Sequence, residues 1–154
     1  MRTTRVRLAQ QADLDELSRL RAAFWPESSA EEHAEELQVI LSGKFPGIMP
    51  LVIFVAEASD GALAGFLEAG LRSYADGCDA AHAVGYVEGW YVRGEWRRQG
   101  IGAELLRVAE DWARGQGCKE MASDTRIDNV ASQGAHEALG FEIAERSVLY
   151  RKTL

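Results

Sequence analysis

The sequence predicts a mixed α/β fold in which an antiparallel meander is followed by a strand-helix-strand-helix section with one parallel pairing. Two features of the pattern point there. Apolar runs separated by short turns fill the middle of the chain, at Leu51 to Glu57, Leu63 to Leu71 and Val84 to Val92. The later half then changes to helical spacing in two stretches, one of them closed by Gly140. With 154 residues, 47% of them hydrophobic, one domain spanning 1–154 can bury its core without disulfides or metals.

Taken in order, Arg5 to Leu8 is a short strand. Asp13, with Glu16 three residues on, opens a helix whose inner face is Leu14, Leu17, Leu20 and Phe24. Proline cannot continue a helix, so Trp25-Pro26 ends it. Ser29 and Glu32 cap a second, acidic helix that runs to about Ser42 and stops at Gly43. Ser59-Asp60-Gly61 turns the first two long strands into an antiparallel hairpin. A polar loop from Arg72 to Ala83 precedes Val84 to Val92. The next helix, about Gly100 to Arg114, lines up Ile101, Leu105, Val108, Ala109 and Trp112 on one face. Lys119 to Ser123 is a short strand, Ile127 to Leu139 a helix, and Phe141 to Glu145 and Ser147 to Lys152 are the last two strands.

Seventeen basic residues against 24 acidic ones give a net charge of −7, which argues against a nucleic-acid binder and suits a cationic small ligand. The first eleven residues lack the apolar core of a signal peptide, and no run is long enough to span a membrane, so a cytoplasmic protein is expected. Cys78 and Cys118 read as free thiols, with no metal site.

The most specific local feature is Arg97-Arg98-Gln99-Gly100-Ile101-Gly102, between a strand and a long amphipathic helix. Glycine lets the backbone approach a ligand, and the first-turn amides of a helix have no internal partners. The helix dipole and the two arginines then favour an anion such as a pyrophosphate. No Lys-Ser or Lys-Thr pair follows, so this is not a P-loop, and the third glycine of a dinucleotide fingerprint is missing.

In Arg97, Gly100 and Gly102 the loop resembles the pattern of the GNAT N-acetyltransferases: a basic or amide residue, two variable positions, glycine, one variable position, then glycine or alanine. Asn129, Ser132 and Leu139-Gly140-Phe141 are similar to a second segment of that superfamily. The resemblance implies a GNAT fold, a central twisted, mostly antiparallel sheet splayed into a V with helices on both faces. It also implies acetyl-CoA as co-substrate, without metal. Its pyrophosphate would lie at Arg97, Arg98, Gln99, Gly100, Ile101, Gly102 and Ala103. Its pantetheine would pair with Trp90, Tyr91 and Val92, and Asn129 would contact it. Gly89 suits either the bulge that opens the V or close packing between bulky neighbours.

Further stretches resemble one group of the superfamily, the aminoglycoside 6'-N-acetyltransferases: Leu20-Arg21 with Trp25-Pro26, Gly77-Cys78-Asp79, Val87-Glu88-Gly89, Glu120 to Asp124, and Tyr150-Arg151-Lys152. The resemblance implies an aminoglycoside or other cationic amine as acceptor, with Trp25 as a wall for a sugar ring, Tyr74 as a substrate contact, and Asp124 and Glu145 binding amines. A homodimer is implied too, with C-terminal strands exchanged or paired between chains.

Strand alternation puts Glu88 on one face with Tyr86 and Trp90, a carboxylate among aromatics beside the implied acetyl site. Glu88 and Asp124 are therefore the candidate catalytic residues, flanking the amine and taking its proton. Duller readings stand beside these: an ion pair for Glu88, a strand end for Asp124, a core plug for Trp25, and for His136 either an acid for the leaving thiolate or a satisfied core histidine.

Overall fold

A computed structural model describes residues 3–44, 47 and 49–154. Five strands form one sheet in sequence order: β1 (Thr4–Leu8), β2 (Leu51–Ala58), β3 (Leu63–Arg72), β4 (Val84–Val92) and β5 (Met121–Ser123). The first four pair antiparallel, and β5 runs parallel to β4. The central strands are apolar at nearly every position because both sheet faces are covered; β3 is buried from Leu63 to Gly70.

Helices α1 (Leu14–Phe24) and α2 (Ala30–Leu41) cover one face, packing Leu17, Leu20 and Leu37 on Ile53, Val55 and Phe66. Helix α3 (Ile101–Gly115) covers the other, with Ile101, Leu105, Leu106 and Ala109 against Phe54, Ala56, Leu67 and Val87. The period-two split of β2, Ile53 and Val55 against Phe54 and Ala56, divides these two cores. The capping box of Ser29 and Glu32 forms on both sides, and Gly43 ends α2 in the left-handed region at φ +73°.

Two irregularities shape the sheet. Glu68 pairs with Gly89 and Ala69 with Val87, so Glu88 is the extra residue of a β-bulge in β4. Pairing between β4 and β5 then stops at Val87 and Ser123. From Glu88 to Val92, β4 is bonded to β3 alone, and its other edge has no strand beside it.

The bulge corrects one expectation. Val87 and Trp90 are three residues apart, yet both belong to the α3 face, because the inserted residue reverses the alternation. Glu88 keeps its place beside Tyr86, while Trp90 turns away from both.

Local differences from the sequence reading have physical causes. Asp13 does not cap α1 with Glu16: its Oδ2 accepts the Gln10 N–H at 2.7 Å and closes a 3-10 turn, while Glu16 Oε1 accepts the Leu63 N–H and an Arg93 N–H, both at 2.9 Å. The final helix, α4 (Val130–Ala138), is shorter than expected because the Asn129 side chain caps it from the Ser132 N–H at 3.1 Å. The strands expected at Phe141 to Glu145 and Ser147 to Lys152 do not form. The segment carries no regular secondary structure, since a strand exists only on a ladder partner and none of the sheet's strands pairs with it. Val148, Leu149 and Tyr150 are 74%, 94% and 92% exposed there.

Candidate active site

The turn into α3 is built for an anion. Gly100 caps the helix in the left-handed region at φ +80°, and Arg98, at φ +60°, is the only non-glycine residue with positive φ among those described. A left-handed conformation at a residue that carries a Cβ costs about 1 kcal/mol, held here by the loop around it. The first intrahelical bond runs from the Glu104 N–H to the Gly100 carbonyl, so the amides of Ile101, Gly102 and Ala103 precede it and point out of the helix. Arg97 and Gln99 brace the loop: Arg97 Nε donates to the Val92 carbonyl at 2.9 Å and Gln99 Nε2 to that of Glu95 at 3.2 Å. Trp90 Nε1 donates to the Gly102 carbonyl at 3.1 Å, locking the open strand to the helix start.

Hydrogen bonding fixes which way β4 points. Arg93 donates to the Ala64 carbonyl, so in antiparallel alternation Tyr91 faces β3, and Trp90 and Val92 turn their N–H groups to the open edge. The edge and the anion loop are thus continuous. Acetyl-CoA fits this donor set, an extended amide chain on the edge and a diphosphate at the helix start.

At the other end of that edge stands the bulge residue. Glu88 accepts from Arg72, Nε to Oε1 at 3.0 Å and Nη2 to Oε2 at 2.8 Å. The Arg72 guanidinium lies over the Tyr86 ring, 3.5 Å from its centroid, and the Tyr86 hydroxyl donates to Asp124 Oδ2 at 2.6 Å. Burial and the Asp124 carboxylate hold the Tyr86 hydroxyl well above the usual phenol range, so it is a donor at any working pH. Behind the bulge, a Cβ on Gly89 would overlap the Trp25 indole. Gly89 therefore serves close packing beside the bulge, and Trp25 is half-buried, backed by Phe24 at 4.7 Å and Phe66 at 6.1 Å between ring centres.

The chain matches the acetyltransferase (GNAT) family over residues 14–141. A protein of Klebsiella aerogenes named aminoglycoside N(6')-acetyltransferase type 1 is 43% identical over 135 residues, 88% of this chain and 87% of that protein. One of the same name from Serratia marcescens is 43% identical over 92% of this chain and 94% of its own length. Among solved structures, AAC(6')-Iy in complex with the bisubstrate analogue CoA-S-monomethyl-acetylneamine superposes with a TM-score of 0.87 at 34% identity, covering 99% of each chain.

The chain belongs to the GNAT family.

In this GNAT chain the sequence-selected residues fall into three groups. Trp90, Tyr91, Val92 and the loop from Arg97 to Ala103 make one continuous surface. Trp25, Glu88 and Asp124 converge on the bulge through Gly89 and Tyr86. Tyr74 and Glu145 lie further out: Tyr74 is exposed and donates to Asp76 Oδ1 at 3.0 Å, the field of Glu145 adds to what raises its hydroxyl, and Ala144 passes against Gly77. Asn129 is exposed, with its oxygen engaged as a cap.

His136 is a satisfied histidine. Its Nδ1 lies 2.7 Å from the Ser132 carbonyl and so carries the proton; its Nε2 accepts from Ser123 Oγ at 2.8 Å, with Trp90 and Phe141 stacked edge-on. Of two charged pairs here, sequence reasoning left one open and missed the other. An ion pair was an alternative for Glu88, but its partner Arg72 went unnamed, since an arginine at a strand end carries no signal of where its guanidinium goes. The other is Arg21 with Glu68, 4% and 3% exposed, under the bulge. Charged residues in an apolar helix face and a buried strand were the available cue. No cluster able to hold a metal ion occurs among the described residues, and no helix there is long and apolar enough to cross a membrane.

Proposed function

We propose that this chain transfers the acetyl group of acetyl-CoA to the 6'-amine of an aminoglycoside by direct attack in a ternary complex, as a cytoplasmic homodimer. One observation carries the reading: the anion loop, the open β4 edge and the Glu88 carboxylate follow one another along a single strand. Acetyl-CoA supplies the thioester; the amides of Ile101 to Ala103 hold its pyrophosphate and the outward N–H groups of Trp90 and Val92 its amide chain. The acceptor assignment is supported by the names of relatives 43% identical and by the net charge of −7, which draws in a polycation.

A primary amine two units below its pKa is only about 1% neutral, and an ammonium cannot attack a thioester. Glu88 holds the ammonium on binding and takes its proton, directly or through a water. Asp124, tethered across Tyr86, faces the same amine or its neighbour. Trp25 walls the sugar ring, and Tyr74 and Glu145 meet the outer rings. The departing thiolate leaves as a thiol-type anion and needs no acid from His136, whose ring nitrogens are both engaged. Burial pushes both cysteine thiols up, which disfavours an acyl-enzyme route.

The dimer is supported by the C-terminal segment, which exposes several apolar side chains, and by β5, an edge strand of the sheet. A second copy gives each a partner.

The test is acetyl-CoA turnover against kanamycin-type acceptors with and without a free 6'-amine, alongside spermidine and an N-terminal peptide, with the modified nitrogen located by NMR. Turnover only where the 6'-amine is free is expected, with Glu88→Gln lowering kcat on the order of 10²-fold. Strong turnover of spermidine with inactivity on every aminoglycoside overturns the acceptor. Parallel lines in steady-state plots overturn the ternary complex.

A further inference from the structure

The position assigned above to the substrate's ammonium already holds a cation. The Arg72 guanidinium lies flat on Tyr86, 3.5 Å from the ring centre. It grips both oxygens of Glu88 at 3.0 and 2.8 Å. It also lies in the field of Asp124, which the Tyr86 hydroxyl tethers at 2.6 Å. An aromatic floor and two carboxylates are the surroundings by which proteins recognise organic cations.

We propose that Arg72 is a resident cation that fills the ammonium subsite of the free enzyme and is exchanged for the acceptor amine on binding. With Arg72 seated, both oxygens of Glu88 are engaged and the carboxylate is not available to an incoming amine. The pair is built to exchange: Arg72 is 44% exposed and Glu88 33%, so water replaces the lost contacts readily. Arg72 ends β3 next to an exposed loop, so its side chain can swing out without moving the sheet. A polycationic acceptor adds repulsion that drives the guanidinium out, and once displaced it leaves Glu88 to the new amine alone. Arg72 thereby sets acceptor affinity without taking part in the chemistry.

The inference rests on the reading of Glu88 as the amine site, and the two fail differently. Steady-state kinetics would be run on Arg72→Ala and Arg72→Lys, with Glu88→Gln and the distant Arg114→Ala as references, each checked for an intact melting transition. Arg72→Ala is expected to lower the KM for a kanamycin-type acceptor about fivefold, as for a subsite free in roughly one molecule in five. Arg114→Ala, with the same change in net charge, is expected to move it by less than about twofold. Guanidinium ion at millimolar concentration is expected to compete with the acceptor in Arg72→Ala and not in the native enzyme, a response that loss of a structural contact does not produce. Arg72→Lys, which keeps the charge without the fork, is expected to fall between. A raised KM, or a lower kcat at unchanged KM, in both Arg72 variants overturns the inference and makes Arg72 a positioning residue for Glu88. If Glu88→Gln leaves turnover unchanged, the site reading itself fails, whatever Arg72 does.

Discussion

At the scale of single residues, the site around the bulge depends on what is absent at position 89. Trp25 occupies the volume a Cβ would need, so Gly89→Ala forces the indole off the strand or the strand off its register. Overpacking of this kind costs about 1–3 kcal/mol. Because the shift falls beside the bulge that carries Glu88, kcat/KM for the acceptor is expected to drop on the order of a hundredfold while CoA binding, carried by the α3 turn, is retained. Thermal melts and titration with CoA check both halves; equal losses in acceptor turnover and CoA affinity would refute it. Gly100 and Gly102 were legible in the sequence because a glycine before an amphipathic helix has a stated purpose. The purpose of Gly89 was half legible: a strand glycine signals a bulge or a close approach, but its partner, Trp25, lies 64 positions away in the chain.

At the scale of elements, the buried pair of Arg21 and Glu68 joins three of them. Arg21 Nε on α1 lies 2.8 Å from Glu68 Oε1 on β3, and its Nη1 lies 3.0 Å from Glu36 Oε2 on α2. The contacts are close but off-axis, leaving these nitrogens and Glu68 Oε1 without aligned hydrogen bonds. Burial dominates and pushes the Glu68 carboxyl up to about 7; Arg21 opposes it, and Glu36 and Glu88 reinforce it. A carboxyl whose pKa is raised on folding binds its proton more tightly in the native state. Its ionisation therefore removes stability as pH rises from the ordinary carboxylate range, about 4.3, toward 7. Asp13 acts oppositely: the Arg7 guanidinium at 2.7 Å holds it low, so its contribution is complete above the ordinary range and is lost in acid. The melting temperature is thus expected to decline between about pH 5 and 7, and Glu68→Gln to flatten that decline, whereas unchanged slopes in both proteins would disprove the assignment. Elements themselves were readable where local chemistry decided them. Ser29 with Glu32 bounds α2, and β4 was placed to the residue; Asp13 misled because two turns competed for one carboxylate, and the bulge was decisive for Trp90 although alternation alone pointed the other way.

At the scale of the whole molecule, the C-terminal arm has strand-like sequence but joins no sheet. The two strands read from its pattern were correct in propensity and wrong in outcome, since pairing is a tertiary property and the partner edge is not in the same chain's reach. Exposing Val148, Leu149 and Tyr150 together is unfavourable in water, by about 25 cal/mol for each Å² of apolar surface a partner would cover. The arm leaves α4 through Phe141, packed on His136, and passes Gly77 at Ala144, so its start is anchored beside Tyr74 and Glu145, the residues proposed to meet the outer rings. Exchange of arms between two copies would then tie assembly to the site. Removing residues 147–154 leaves Glu145 in place and takes away the apolar stretch, so the truncated chain is expected to sediment as a monomer at concentrations where the full chain is a dimer. Its acceptor KM should rise as the chain around Glu145 frays at its new end, while CoA affinity holds, because Phe141, packed on His136 beside Trp90, stays in the truncated chain. A full-length chain that sediments as a monomer, or a truncated one that stays dimeric, would remove the arm from the assembly.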